Sequence, residues 1–338
     1  MANANFANDF LSSTLIEYYK TRPSDAVFGE LVLWDKLKRA DKITKQGGQK
    51  IVSPVMTRKS TAVFAYDGYD TFDMTPQEVM TNAEWDWKWY GATVVIDNPT
   101  RLKNRGPRAE INILKNRIAQ AEMSLADKIN ADAFLDGVSS GAELNKTLVG
   151  LALMVDNAGT YGNINRSTDT YWKAQETAAA GDLTLSGSTG MRRMFNDCAL
   201  GPTRRTPDFL IGTQAIFEAY ETLMDSNSRF MVNVIDRPNA TFKKQNLMFR
   251  DAELYWDDYC QSQTLYFLNS KHMAIVELEG RSADVVDEQD DRDAGSFRIS
   301  EFVEPYNQDA QSAKIKYCGN MLSDNCRRLG KLTGITNS

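Results

Sequence analysis

The chain has 338 residues, 42% hydrophobic and 25% charged, the balance of a soluble globular protein able to bury a substantial core. Its formal net charge of −6 makes it a poor candidate for tight nucleic-acid binding, which relies on clustered lysine and arginine. Apolar runs such as Ala92–Ile96 fall far short of the ~20 residues of a membrane span.

The polar N-terminus, MANANFANDF, lacks the basic-then-apolar order of a secretory signal. The first stretch, to about Lys45, is irregular and polar apart from one amphipathic helical patch at Val27–Leu37 with Phe28, Leu31, Val32 and Trp34. It reads as an arm. Gly47-Gly48 then opens a strand-like run, Lys50–Lys59, in which Pro54 demands a sheet edge because proline cannot donate to a ladder. The expected return strand is Glu84–Ile96, where Trp85, Trp87 and Trp89 alternate with Asp86, Lys88 and Tyr90. Between the two, Thr75-Pro76-Gln77-Glu78 has the form of a capping box with proline at the first helical position. The whole predicts a long hairpin with a decorated tip. A two-stranded ribbon is marginal in water, so something must cover it.

Pro107 opens the strongest helix, predicted to reach about Asp136 with Gly137 as its stop. Ile111, Leu114, Ile118, Ala121, Leu125, Ile129 and Phe134 form its single apolar stripe. From Gly150 to about Leu278 the elements shorten, as in a compact α+β domain. Helices are expected at Met191–Ala199 and Gln214–Met224, the second capped by Thr213. Strands are expected at Phe209–Ile211, Glu253–Trp256, Thr264–Leu268 and Met273–Leu278. An acidic loop, Asp287–Gly295, precedes a strand at Ser296–Val303 and a final strand pair near Ala313–Tyr317 and Leu329–Ile335.

The sequence offers little chemistry. Cys198, Cys260, Cys318 and Cys326 form no CxxC pair and read as reduced thiols, and the lone histidine, His272, reads as a turn residue. Phosphate-loop, dinucleotide and zincin motifs are absent. The acidic loop has an EF-hand-like spacing from Asp290 to Glu301, but Arg292 and Ala294 occupy ligand places, so a solvated loop or a contact with a basic neighbour is the better reading. The three tryptophans suit either a sugar- or base-stacking platform or, better, packing within the ribbon or against another subunit. No enzyme, cofactor or metal is expected.

Several local stretches resemble one family. They are Gly47-Gly48 before the hairpin strand, Asn104-Arg105-Gly106 before the long helix, Asp136-Gly137 at its end and Val149-Gly150-Leu151 at the next domain. Ala158–Gln175 (AGTYGNINRSTDTYWKAQ), Tyr266-Phe267-Leu268-Asn269 and Cys318-Gly319-Asn320-Met321 add to them. Together with the element order, from about Gln46 to Ile335, they resemble the major capsid proteins of tailed bacteriophages, with the Hong Kong 97-type α+β fold.

The resemblance implies an N-terminal arm (1–45), an extended E-loop hairpin (46–105), a P-domain with its spine helix (106–149) and an A-domain (150–279). P-domain return strands with the acidic loop (280–312) and closing A-domain strands (313–338) complete the expected layout. It further implies hexamers and pentamers of the chain itself in an icosahedral virion shell assembled in the bacterial cytoplasm. Double-stranded DNA would be enclosed without sequence specificity. A portal is an implied partner, a decoration protein is left open by the sequence, and no membrane is implied. With no coiled-coil heptads ahead of the hairpin, a separate scaffolding protein is implied too. Some relatives join subunits through a lysine on the hairpin, where Lys59 lies, but no asparagine and glutamate of this sequence match the other two members of that cross-link. An encapsulin-like compartment subunit is the alternative within the fold, and a carbohydrate-binding module the alternative outside it. The expected subunit contacts are Trp85, Trp87 and Trp89 on the hairpin, and Asp290, Asp291 and Asp293 meeting Arg58, Lys59, Arg101, Lys103 and Arg105 of an adjacent chain.

Overall fold

The apolar runs around Phe209, Leu265 and Leu332 come together in one sheet, and the amphipathic helices cover it. The computed structural model describes residues 31–56, 59–72, 74–75, 79–103, 113–137, 145–199, 206–228, 247–278, 298–300, 302–306 and 308–336. Helices and mixed sheets form two compact units. One comprises Met1–Gly29, Trp89–Ile129 and Arg281–Cys318, and the other Glu30–Lys88, Asn130–Gly280 and Gly319–Ser338.

In the larger unit a six-stranded mixed sheet runs in the order Gln175–Gly181, Gly330–Ile335, Leu265–Leu268, Phe209–Gly212, Ala252–Trp256, Met248–Phe249. Its central strands, FLIG and LYFL, are buried at every residue, which explains their continuous apolar sequence. The helix Met191–Ala199 lays Met191, Met194, Phe195 and Cys198 into the core, with Leu210, Phe267 and Leu332 among the residues they join. Each such side chain contributes about 1.5–3 kcal/mol by leaving water. The helix Gln214–Ser228 starts where expected, with Ile216 N–H donating to Thr213 Oγ1 at 3.4 Å, and runs four residues past Met224.

A second group of strands in this unit joins distant parts of the chain. Ile43–Gln46 lies parallel to Met273–Leu278, which pairs antiparallel with Gly319–Ser323. The segment read as an irregular arm therefore supplies a strand here. Ahead of it, the helix Val32–Arg39 buries Leu33 and Leu37, and its Lys36 pairs with Glu253 while its ammonium lies 4.5 Å from the centre of the Tyr255 ring.

In the smaller unit, strand Lys88–Asp97 pairs with Ala310–Ser323. Arg298–Ile299 adds a short strand opposite Ile315 and Lys316, and Val303 bridges to Ser312. This is less than the continuous Ser296–Val303 strand expected. The long helix is described over Ile113–Ala133, with its expected start outside the described residues. Arg117 at its start donates to Val95 O at 2.6 Å. At its far end, in the larger unit, Gly137 adopts φ +74, as a left-handed helix stop requires. Gly150 answers that end. A Cβ there would stand 2.2 Å from Leu135 O, 2.7 Å from Asp132 O and 2.8 Å from Ala133 O, so only glycine lets the chain pass the helix terminus.

Three expectations are corrected. The run Glu84–Ile96 is not one strand: it breaks at Asp86-Trp87, and the halves take different partners. The two closing strands do not pair with each other, because Ala310–Ser323 joins Met273–Leu278 while Gly330–Ile335 lies between Gln175–Gly181 and Leu265–Leu268. The alanine-rich strand Gln175–Gly181 was not expected at all. The short helix at Thr75–Glu78 falls on residues 76–78, outside the described ones.

Candidate functional site: a hairpin on an aromatic anchor

The hairpin pairs Ile51–Met56 with Met80–Trp85 in a regular antiparallel register, Ile51 opposite Trp85 and Met56 opposite Met80. Pro54 sits opposite Asn82 in this two-stranded ribbon, where both strands are edges, as its missing N–H demands. Period-two alternation gives the ribbon two faces. Ile51, Val55, Ala83 and Trp85 are buried, whereas Val52, Met56 and Met80 are exposed.

Trp85 is the root of the ribbon. It is 4% exposed and meets Tyr161 edge-on, 5.5 Å between ring centres. Tyr161 lies 5.9 Å from Trp172, whose indole N–H donates to Tyr161 O at 2.9 Å. The phenol oxygen of Tyr161 accepts from Ser323 N–H at 2.9 Å. Burial pushes this phenol well above its ordinary pKa, so it stays neutral. The fully buried guanidinium of Arg166 lies 5.1 Å from the Tyr161 ring centre and donates to Leu153 O, Met154 O and Ala158 O at 2.8–3.1 Å. Those carbonyls cluster around the end of the short helix Leu151–Met154, where backbone acceptors lack helical donors. A backbone bond from Glu84 N to Gly162 O, 3.0 Å, ties ribbon and anchor directly.

The ribbon is fastened again just past Trp85. Asn320 donates from Nδ2 to Asp86 O at 3.0 Å, and its Oδ1 accepts from Val149 N and Met321 N, both at 2.9 Å. Trp87 donates its indole N–H to Gly48 O at 2.9 Å, and Lys88 Nζ donates to Asn145 O at 2.5 Å. Burial pulls the Lys88 pKa below its usual value, although Asp86 opposes this. Several of the stretches that carry the family resemblance are thus the joints of the hairpin.

Beyond the ribbon the tip is a loop of exposed apolar side chains. Val63, Phe64, Tyr66, Phe72 and Met74 are exposed, and Tyr69 is 104% exposed. Phe72 packs on Tyr66 (4.9 Å) and Phe64 (5.6 Å), so the loop has a small aromatic nucleus of its own. A turn closes it, with Asp70 N donating to Asp67 O and Asp67 N to Asp70 Oδ2, both at 2.8 Å. Apolar surface gathered this way on an anchored arm is unusual for a surface that stays in water.

The expected contact residues fare unequally. Trp85 is buried, Trp87 is held at the ribbon base and Trp89 is 63% exposed on the next strand, so the three form no common stacking platform. Lys59 lies at the start of the tip, its ammonium 5.9 Å from the Tyr171 ring centre. Arg101 and Lys103 fall in the helix Asn98–Lys103. Arg58, Arg105, Asp290, Asp291 and Asp293 lie outside the described residues, as does the EF-hand-like spacing. The tip aromatics and the Tyr161–Gly162 anchor were missed. The tip's clue was a set of aromatics spaced among glycine and aspartate with nothing in their own segment to bury them.

Elsewhere the chemistry is quiet. Among the described residues no cluster of three His, Cys, Asp or Glu side chains is arranged for a metal, and no helix is long and apolar enough to cross a membrane. All four cysteines are free thiols. Burial raises Cys326 to about 11 and Cys260 to about 12, which leaves them protonated and unreactive near neutrality. His272 Nδ1 lies 2.9 Å from Asp324 Oδ1, within a turn.

No family model matches the sequence, and no curated protein matches it. Solved structures do. The capsid subunit of cyanophage A-1(L) superposes with a TM-score of 0.72 at 15% identity, covering 97% of this chain and 99% of its own. The capsid of a native GTA particle gives 0.60 at 12% identity, covering 99% and 100%. The holo-SrpI encapsulin complex of Synechococcus elongatus gives 0.59 at 10% identity, covering 98% and 96%. The chain has the fold of the tailed-phage capsid subunits, the Hong Kong 97-type α+β fold that its sequence resembles.

Proposed function

We propose that the chain is a major capsid protein, which self-assembles into the icosahedral head of a tailed bacteriophage around double-stranded DNA. The observation that carries this reading is the hairpin, whose root is locked into its own subunit while its apolar tip is bare. On a fold shared end to end with capsid subunits, a second copy is the cover that fits. A closed shell offers every copy the same neighbour, so each tip finds a seat. Assembly would take place in the host cytoplasm with a separate scaffolding protein and a portal. No catalytic role is assigned.

The same reading places the acidic segment Asp290, Asp291 and Asp293 against basic residues of an adjacent chain, among them Arg58, Lys59, Arg101, Lys103 and Arg105. Each exposed pair would contribute only ~0.2–1 kcal/mol, but the shell repeats it in every copy.

Negative-stain microscopy of the purified protein tests the proposal. Closed angular shells are expected, and a protein that stays monomeric at high concentration would refute it. The contents of particles from infected or producing cells separate a DNA-filled head from an encapsulin-like compartment loaded with cargo protein. The greater likeness to the cyanophage subunit, 0.72 against 0.59, favours the head.

A further inference from the structure

Tyr171 has two cations beside its ring. The Lys59 ammonium lies 5.9 Å and the Arg327 guanidinium 5.5 Å from the centre of its ring, and the tyrosine is 39% exposed. Attraction of each cation to the ring helps to orient the two groups. Among the described residues, neither Lys59 nor Arg327 has a carboxylate partner. The Arg327 Nε is buried without a hydrogen-bond acceptor. The nearby Asp324 is engaged by His272 at 2.9 Å. Two positive charges beside one ring favour the approach of an anion.

The arrangement suits a carboxylate. A guanidinium offers a planar fork that a carboxylate fills with two parallel bonds, and an ammonium alongside adds a point charge. The sequence contains a segment of matching sign. Asp287, Glu288, Asp290, Asp291 and Asp293 carry five carboxylates within seven residues, offset only by Arg292. Lys59 also leads directly into the exposed tip, so whatever seats the tip on a neighbour brings this site up to that neighbour.

We infer that Lys59, Tyr171 and Arg327 form a carboxylate-receiving site at the foot of the hairpin tip, and that its occupant is the acidic segment Asp287–Asp293 of a second copy of the chain. This rests on the reading of the chain as a shell subunit. It narrows the expected basic partners to one lysine on the hairpin and adds an arginine and a tyrosine that the sequence did not point to. The incoming carboxylates neutralise the two cations beside the tyrosine when two copies meet.

Two experiments decide it. In the first, Lys59→Cys and Asp291→Cys are combined in a Cys318→Ser background, and assembled shells are oxidised with diamide. A ladder of covalent oligomers on a non-reducing gel is expected. A monomer band alone, whether from no bond or from closure within one chain, overturns the inference. In the second, Lys59→Glu with Arg327→Glu should lower by at least twofold the sodium chloride concentration at which shells fall apart. Asp290→Lys, Asp291→Lys and Asp293→Lys together should do the same, and the two sets combined should restore the parent value. A combined variant as weak as either set alone, or a silent single set, overturns it. Parent protein that forms no shells under the microscope would instead refute the shell reading itself, and this inference with it.

Discussion

Gly162 sits where any side chain would strike Trp85. A Cβ on Gly162 would lie 2.9 Å from Trp85 Cζ2 and 3.1 Å from Ala83 Cβ, and the residue adopts φ +58, a conformation that side chains disfavour. The root of the hairpin is therefore shaped by an absence. Gly162→Val should cost about 1–2 kcal/mol in backbone strain and ~1–3 kcal/mol in overpacking. Trp85 would be forced from its seat beside Tyr161. The expected result is a folded, less stable subunit with red-shifted tryptophan fluorescence and few or no closed shells. Normal shells with unchanged emission would show that the anchor does not hold the hairpin.

The anchor's other support is Arg166, a buried cation whose donors go to backbone carbonyls. Its guanidinium serves Leu153, Met154 and Ala158 at once, so Arg166→Met would strand the buried Met154 carbonyl and remove the bonds to two part-buried ones. Losing bonds to a charged donor costs about 1.5–3 kcal/mol each where the partner stays buried. Chemical denaturation should show a loss of at least ~3 kcal/mol. Arg166→Lys should recover only part of it, because one ammonium cannot reproduce the planar fork. Equal stability of Arg166→Lys and the parent would contradict the geometry.

Alkaline pH probes the buried thiols. Cys326 and Cys260 titrate near 11 and 12 in the folded chain, because burial disfavours the thiolate, although Arg166 works against the shift at Cys326. An unfolded cysteine titrates near ~8.5. Above that value the unfolded state binds fewer protons than the folded one, so stability falls as pH rises. The contribution is whole below ~8.5 and is lost progressively between there and about 11 for Cys326 and about 12 for Cys260. Each thiol should steepen the decline by up to ~1.4 kcal/mol per pH unit. Melting temperatures from pH 8 to 11 should fall less in Cys326→Ala than in the parent. Parallel curves would count against the burial of that thiol.

How much of this was legible depends on what each signal measures. The helix Met191–Ala199 was readable to the residue, because its stripe records burial on one side only. Met273–Leu278 was equally plain as an apolar run between turn residues. The tryptophan strand misled because alternation survives a change of partner: Trp85 and Trp89 keep their period across the break at Asp86-Trp87 while one is buried and the other exposed. Gln175–Gly181 was hidden because its alanines have little β-propensity, and only its pairing with Gly330–Ile335 makes it a strand. The anchor escaped notice for a related reason. Tyr161 and Gly162 matter through contacts with Trp85 and Ser323, residues far away in sequence. No local pattern encodes such a meeting.

On the proposed role in a DNA-filled head, the net charge of −6 bears on how the wall meets DNA. A wall that bound duplex DNA tightly would resist its packing and release. Neutralising many phosphates requires clustered cations, and an acidic chain supplies them only in patches. Fluorescence anisotropy with a short duplex should find no sequence preference and at most weak binding that weakens further with salt. A sub-micromolar complex at physiological salt would refute this.

The tip makes the sharpest separation between folding and assembly. Phe64, Tyr66 and Phe72 touch one another but are exposed to solvent, so they contribute little to the core. Replacing all three with serine should shift the melting temperature by no more than ~2 °C, since exposed substitutions usually stay within ~0.5 kcal/mol. Assembly is another matter. Aromatic anchors that become buried in an interface can each be worth ~2 kcal/mol or more, and every copy in the shell would lose three of them. The expected outcome is a normally folded subunit that stays small in light scattering under conditions where the parent forms shells. Deleting Ser60–Val79 should behave alike, because the locked root at Trp85 lies outside the deletion. If the serine variant assembles with parental yield, the tip is ornamental and the cover that drives assembly must be sought elsewhere on the subunit.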